Sequence, residues 1–138
     1  MRDPRNHRSA SLTELSAHPQ RKGLKRLIWA LRYSWQGLWE TAKSEEAFRQ
    51  ELLLLLCALL IAPWLAQNLF HAVALVASVV LILIVELINS AIEAAVDRVG
   101  LEYNELSGKA KDMSSAAVFL STSIAGMVWI VSLIERIW

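Results

Sequence analysis

Apolar residues fall in three blocks: Leu52 to Ala66, Ala72 to Val85 with a continuation to Val96, and Ser115 to Ile134. Crossing a hydrocarbon core about 30 Å thick takes about 20 helical residues. The second and third blocks are that long, and Phe48 to Phe70 reaches it for the first. The pattern predicts three transmembrane helices over about 48–70, 72–96 and 115–135. A buried helical bundle in a soluble chain is the competing reading. Three such runs in so short a chain are rare in soluble domains.

Ahead of the first span, 24-LKRLIWALRYSWQGLWETAK-43 places Leu24, Leu27, Ile28, Leu31, Trp35, Leu38 and Trp39 at helical spacing on one face. Lys25, Arg26, Arg32, Gln36 and Glu40 occupy most of the other. A basic amphipathic helix with tryptophans on its apolar side suits a membrane surface, so a surface helix is predicted over about 24–43. An ordinary packed helix of a bundle is the alternative. Residues 1–22 carry Pro4, Pro19, His7 and His18 but no sustained apolar period, and a mobile extension is expected there. Ser44, followed by Glu45, Glu46 and Ala47, reads as the N-terminus of the next helix. The expected fold is an all-α membrane protein: an N-terminal amphipathic helix and three transmembrane helices, in one membrane-embedded domain over residues 23–138.

Net charge is +1 and says little about partners; no nucleic-acid partner is expected. The distribution of charge says more. Ten of the 14 Lys and Arg residues precede the first span, three (Arg98, Lys109, Lys111) lie between spans two and three, and only Arg136 follows. The first loop, near 67-QNLFH-71, has none. The positive-inside rule then places the N-terminus and the second loop in the cytoplasm. No cleavable signal peptide is visible, and the first span can itself direct insertion. Cys57 is the single cysteine, which rules out an intrachain disulfide, and its apolar setting reads as packing.

Against this background 86-ELINSAIEAAVDR-98 stands out. At 100° per residue Glu86, Asn89, Ser90, Glu93 and Asp97 fall within an arc of about 100°, and the remaining faces are apolar. Glu86 lies about 21 Å along the helix from Ala72, and Glu93 lies about 10 Å further toward the cytoplasmic end. A charge at the bilayer centre costs about 2.5–3.5 kcal/mol on insertion scales, so such residues are usually paired or functional. A polar stripe that merely joins helices would do better with Asn or Ser. Two chemistries suit the glutamates: proton or ion translocation, and acid–base or metal-assisted catalysis at the membrane surface. The following loop, 98-RVGLEYNELSGKAKDMSSAA-117, adds Lys109, Lys111 and Asp112, which suit a metal–nucleotide and also suit plain positive-inside topology. The sequence contains no GxxxxGK[ST], GxGxxG, CxxC or HExxH motif.

The strings 33-YSWQGL-38, 45-EEAFRQE-51, 85-VELINSAIEAAVDR-98 and 102-EYNELSGKAKDMSSAAV-118 resemble the small integral-membrane diacylglycerol kinases of bacteria, from about Arg26 to Trp129. The resemblance implies a homotrimer in the bacterial inner membrane. It implies transfer of the ATP γ-phosphate to diacylglycerol with Mg²⁺. By position, it implies Glu86 as general base, Asn89 as the residue that orders the stripe, Glu45 and Glu93 as Mg²⁺ ligands, and Lys111 as the cation that neutralises the phosphoryl group. Arg26, Tyr33, Glu102, Tyr103, Asn104 and Asp112 match nucleotide-site positions. On the lipid side the matches are Arg26 and Ala30 through Trp35 (Leu31, Arg32, Tyr33, Ser34), Ala47, Phe48, Arg49, Gln50, Glu51, Trp64, Ser115 and Trp129. The chain departs from the family at Asn104, where His is usual, at Ser114, where Gly is usual, and at Leu31, where a small residue is usual. A sister branch that phosphorylates undecaprenol shares the Glu-Asn-Glu stripe, and an ion-conducting oligomer is the alternative of another class.

Overall fold

The computed structural model describes residues 23–100 and 104–138. Among these, four helices occur in order: α1 Leu24–Ser44, α2 Glu46–Leu65, α3 Leu69–Val99 and α4 Glu105–Ile137. No strand is present among the described residues. The last three are each long and apolar enough to cross a membrane. The expected all-α architecture and its three spanning helices are therefore observed. The expected extension over 1–22 lies outside the described residues.

The chain divides into two compact units, one ending at Gln36 and one running Gly37–Trp138. α1 begins in the first and ends in the second. Gly23 precedes it with φ +70°, a left-handed conformation that glycine adopts without strain. Within α1 the Arg32 guanidinium lies 5.2 Å from the Trp29 ring centroid, and Lys43 lies 5.0 Å from that of Trp39. These are cation–π contacts that keep basic side chains along the helix surface.

The larger unit is built on α3, which packs against α4 and α2, while α2 and α4 touch little. Close approach comes from small side chains, as expected where helices gain no hydrophobic drive from surrounding lipid. α4 buries Ser114, Ser121, Ala125 and Ser132, spaced seven, four and seven residues apart on one face. Ala62, Leu65 and Leu75 form a buried apolar cluster, with Val128 and Trp129 against it. Trp129 Nε1 donates to Leu75 O at 3.3 Å and so ties α4 to α3 there. Large apolar residues such as Leu53, Leu60 and Phe119 face outward, more than 60% exposed.

The helix ends correct two expectations. The first span ends at Leu65 and not at Phe70, because Asn68 caps α3 and its Oδ1 accepts from His71 N at 2.9 Å. Phe70 belongs to α3. Pro63 sits in the last turn of α2, where it has no N–H to offer the Leu59 carbonyl one turn back. Ser44 does not cap α2. It closes α1, with its hydroxyl donating to Glu40 O at 3.2 Å, and Glu45 occupies the extended N-cap position without a side-chain cap bond. Arg49 Nη1 donates to the Ala42 and Lys43 carbonyls at 3.4 and 3.3 Å, satisfying groups that the end of α1 leaves open.

Candidate active site

The polar stripe of α3 points into the unit at its upper part and out of it at its lower part. Glu86 and Asn89 are buried, at 5% and 9% exposure, Glu93 is half-buried and Asp97 is exposed. Asn89 Nδ2 donates to Glu93 Oε1 at 3.2 Å, one helical turn away. From α4, the Ser114 hydroxyl donates to Asn89 Oδ1 at 2.7 Å, and Lys111 Nζ forms an ion pair with Asp97 Oδ1 at 2.6 Å. These contacts fasten the start of α4 to the stripe.

Carboxylates from α2 complete the cluster. Glu45, between α1 and α2, and Glu93 both lie within electrostatic reach of Glu86. Glu51, six residues further along, also senses Glu86, and its Oε2 is buried without a hydrogen-bond partner. Ser90 Oγ is likewise buried and unpartnered. Glu93 is also within reach of Lys111. Glu86 thus faces Glu45, Glu51 and Glu93, while Lys111 faces Glu93 and Asp97.

Such a donor set fits Mg²⁺ shared with phosphate. Hard carboxylate oxygens are the right donors, and Mg²⁺ usually takes only one or two of them beside substrate oxygens and waters. Among the described residues no group of three or more His, Cys, Asp or Glu converges closely enough to hold a metal by protein ligands alone. Glu45 and Glu93, each within reach of Glu86, carry the hard carboxylate oxygens that such an ion takes.

Asn104 caps α4, with Oδ1 accepting from Leu106 N at 2.9 Å and Ser107 N at 3.2 Å. Asp112 and Ser115 are exposed near the start of α4. Glu102 and Tyr103 lie outside the described residues. Arg26, Ala30, Leu31, Arg32, Tyr33, Ser34 and Trp35 are exposed on the part of α1 that belongs to the N-terminal unit. In the larger unit Phe48 is buried, Ala47 is exposed, Gln50 Nε2 reaches Glu46 Oε1 at 3.4 Å, and Arg49 holds the end of α1. Trp64 and Trp129 are not gathered with the carboxylates. Trp64 is about 20 Å along α2 from Glu51, and Trp129 is about 22 Å along α4 from Ser114. Trp64 instead lies under the Arg136 guanidinium, 5.6 Å from its ring centroid. In the sequence Ser114 stands out only as a departure from a family pattern, and Asp97 has no site role beyond its place on the stripe. Asp97 was legible from its place on the stripe; the Ser114–Asn89 contact, which joins two helices, carries no sequence signal.

Three helices long and apolar enough to cross a membrane, with a stripe of carboxylates along one of them and a lysine tethered to it, define a multi-pass membrane protein. Comparison with known proteins makes that class specific. A family model described as prokaryotic diacylglycerol kinase matches residues 32–133, and the chain belongs to that family. The chain is 50% identical over 111 residues to the diacylglycerol kinase of Escherichia coli strain K12, covering 80% of this chain and 91% of that protein. It is 43% identical over 107 residues to that of Haemophilus influenzae (78% and 91%), and 40% over 118 residues to that of Helicobacter pylori strain 26695 (86% and 92%).

Proposed function

We propose that the chain is a lipid kinase that transfers the γ-phosphoryl group of ATP to the free hydroxyl of diacylglycerol, giving phosphatidate and ADP. Beside family membership, one observation carries the reading: Glu45, Glu86, Glu93 and Lys111, from three segments of the chain, are linked in turn by electrostatic reach. An ion-conducting oligomer would leave Glu45 and Lys111 without a task.

Glu86, buried on the α3 stripe, accepts the hydroxyl proton as the oxygen attacks the γ-phosphorus. The bond from that phosphorus to the β,γ-bridging oxygen breaks, and ADP leaves. Lys111 neutralises charge on the transferring group, the main lever in phosphoryl transfer. Asn89, held from both ends, keeps Glu93 in place beside it. Glu45 and Glu93 would hold Mg²⁺, which when bound with ATP supplies positive charge against the phosphate oxygens. The cytoplasmic placement of the site follows from the basic N-terminus and second loop, and a bacterial inner membrane is its expected location. The homotrimer belongs to the same proposal. Outward-facing side chains on all three spanning helices leave ample apolar surface for neighbouring copies and lipid.

The test is formation of labelled lipid by purified protein in detergent or bilayers, with γ-labelled ATP, with and without Mg²⁺. Phosphatidate is the expected product. Labelling of undecaprenol but not diacylglycerol, or nucleotide-independent ion flux without any labelled lipid, would overturn the proposal.

A further inference from the structure

α4 buries three serines, and two of them have simple explanations. Ser121 donates to Val118 O in its own helix. Ser132 donates to Val128 O and meets His71 Nε2 on α3 at 2.8 Å, far from the acidic cluster. Ser114 has the same intrahelical acceptor within reach, Lys111 O at 2.9 Å, yet it lies closer to Asn89 Oδ1, at 2.7 Å. Its one hydroxyl proton serves one acceptor at a time.

The acceptors do not need that proton equally. The Lys111 carbonyl belongs to a continuous helix, whereas Asn89 Oδ1 is the oxygen of a buried side chain. The carboxamide cannot simply turn over. Reversal would set Oδ1 against Glu93 Oε1, at the 3.2 Å now bridged by Nδ2–H, and two acceptors would face each other. With Nδ2 committed to Glu93, Oδ1 faces α4, where the Ser114 hydroxyl supplies the proton.

We propose that Ser114 is a positioning residue: its hydroxyl fixes the Asn89 carboxamide and, through it, the Glu93 carboxylate. This rests on the proposed function, in which Glu93 faces the metal and nucleotide. Removing the hydroxyl leaves Oδ1 buried without a donor and releases the amide to rotate away from Glu93. The metal–nucleotide side of the site is then loosened and the lipid side is not.

The experiment compares S114A, S114C and S114T with the natural chain. Three readouts are taken: the side-chain amide resonance of Asn89 in ¹⁵N-asparagine-labelled protein, affinity for Mg²⁺ with a non-hydrolysable ATP analogue, and the KM values for MgATP and diacylglycerol. In S114A the amide resonance moves, while analogue affinity weakens and KM for MgATP rises about fivefold, the worth of one net hydrogen bond. KM for diacylglycerol stays the same. S114T, which keeps the hydroxyl, restores the natural values. S114C keeps the volume with a weaker donor, falls between, and carries the test if S114A does not fold. An unmoved resonance with unchanged analogue affinity in S114A, or in S114C in its place, overturns the proposal. A natural chain that makes no phosphatidate overturns the lipid-kinase reading instead, and the amide resonance still decides the role of Ser114.

Discussion

Lys111 Nζ lies 2.6 Å from Asp97 Oδ1, so the cation expected to meet the phosphoryl group is tethered to the last polar residue of the α3 stripe. Both side chains are partly exposed, and exposed ion pairs add little to stability. The consequence falls on placement. In D97N Lys111 keeps its charge and loses its tether. KM for MgATP is expected to rise with little change in thermal midpoint, as measured by steady-state kinetics beside a melting curve. An unchanged KM would show that nucleotide draws Lys111 into place unaided.

Glu86→Gln keeps the shape of the side chain and removes its basicity. With the carboxylate as proton acceptor, kcat is expected to fall at least about 10²-fold, the lower range for a general base. KM for both substrates is expected to move far less. Full activity in this variant would remove Glu86 from the base role.

Glu45→Gln and Glu93→Gln separate charge from structure. In Glu93→Gln the new amide oxygen can still accept from Asn89 Nδ2, and Glu45 makes no side-chain cap bond to lose. Both variants are expected to fold normally and to need more Mg²⁺ for half-maximal activity, read from titrations at fixed ATP. If only the ATP requirement changed, with the Mg²⁺ dependence unmoved, the metal-ligand assignment would fail.

A buried apolar cluster lies apart from the acidic stripe. Ala62 is completely buried against Leu65 and Leu75. Ala62→Leu forces added methylenes into that helix contact, at a cost of about 1–3 kcal/mol. Equilibrium unfolding in mixed micelles measures this. The surviving folded fraction should turn over at the natural rate.

Periodicity and hydropathy made the spanning helices and the polar stripe legible, because both follow from spacing along one helix. The boundaries were less so. Ser44 has the residue type of an N-cap, yet its hydroxyl bonds back to Glu40 O, a choice settled by the continuity of α1. The first span ends near the close of its apolar run, short of the Phe70 that the membrane-crossing length suggested, because Asn68 starts a new helix through a single cap hydrogen bond. Contacts between helices were the least legible. Nothing in the spacing of α3 or α4 announces that Ser114 meets Asn89 or that Lys111 meets Asp97. Each depends on the register in which two helices pack.

The outward-facing leucines and phenylalanine have a kinetic consequence. They dissolve the protein in the same phase as a lipid substrate, so encounter between the two takes place in two dimensions. For the proposed reaction, the concentration that sets the rate is the mole fraction of diacylglycerol in the surrounding film. Adding inert detergent or lipid at constant bulk substrate would slow turnover by dilution alone.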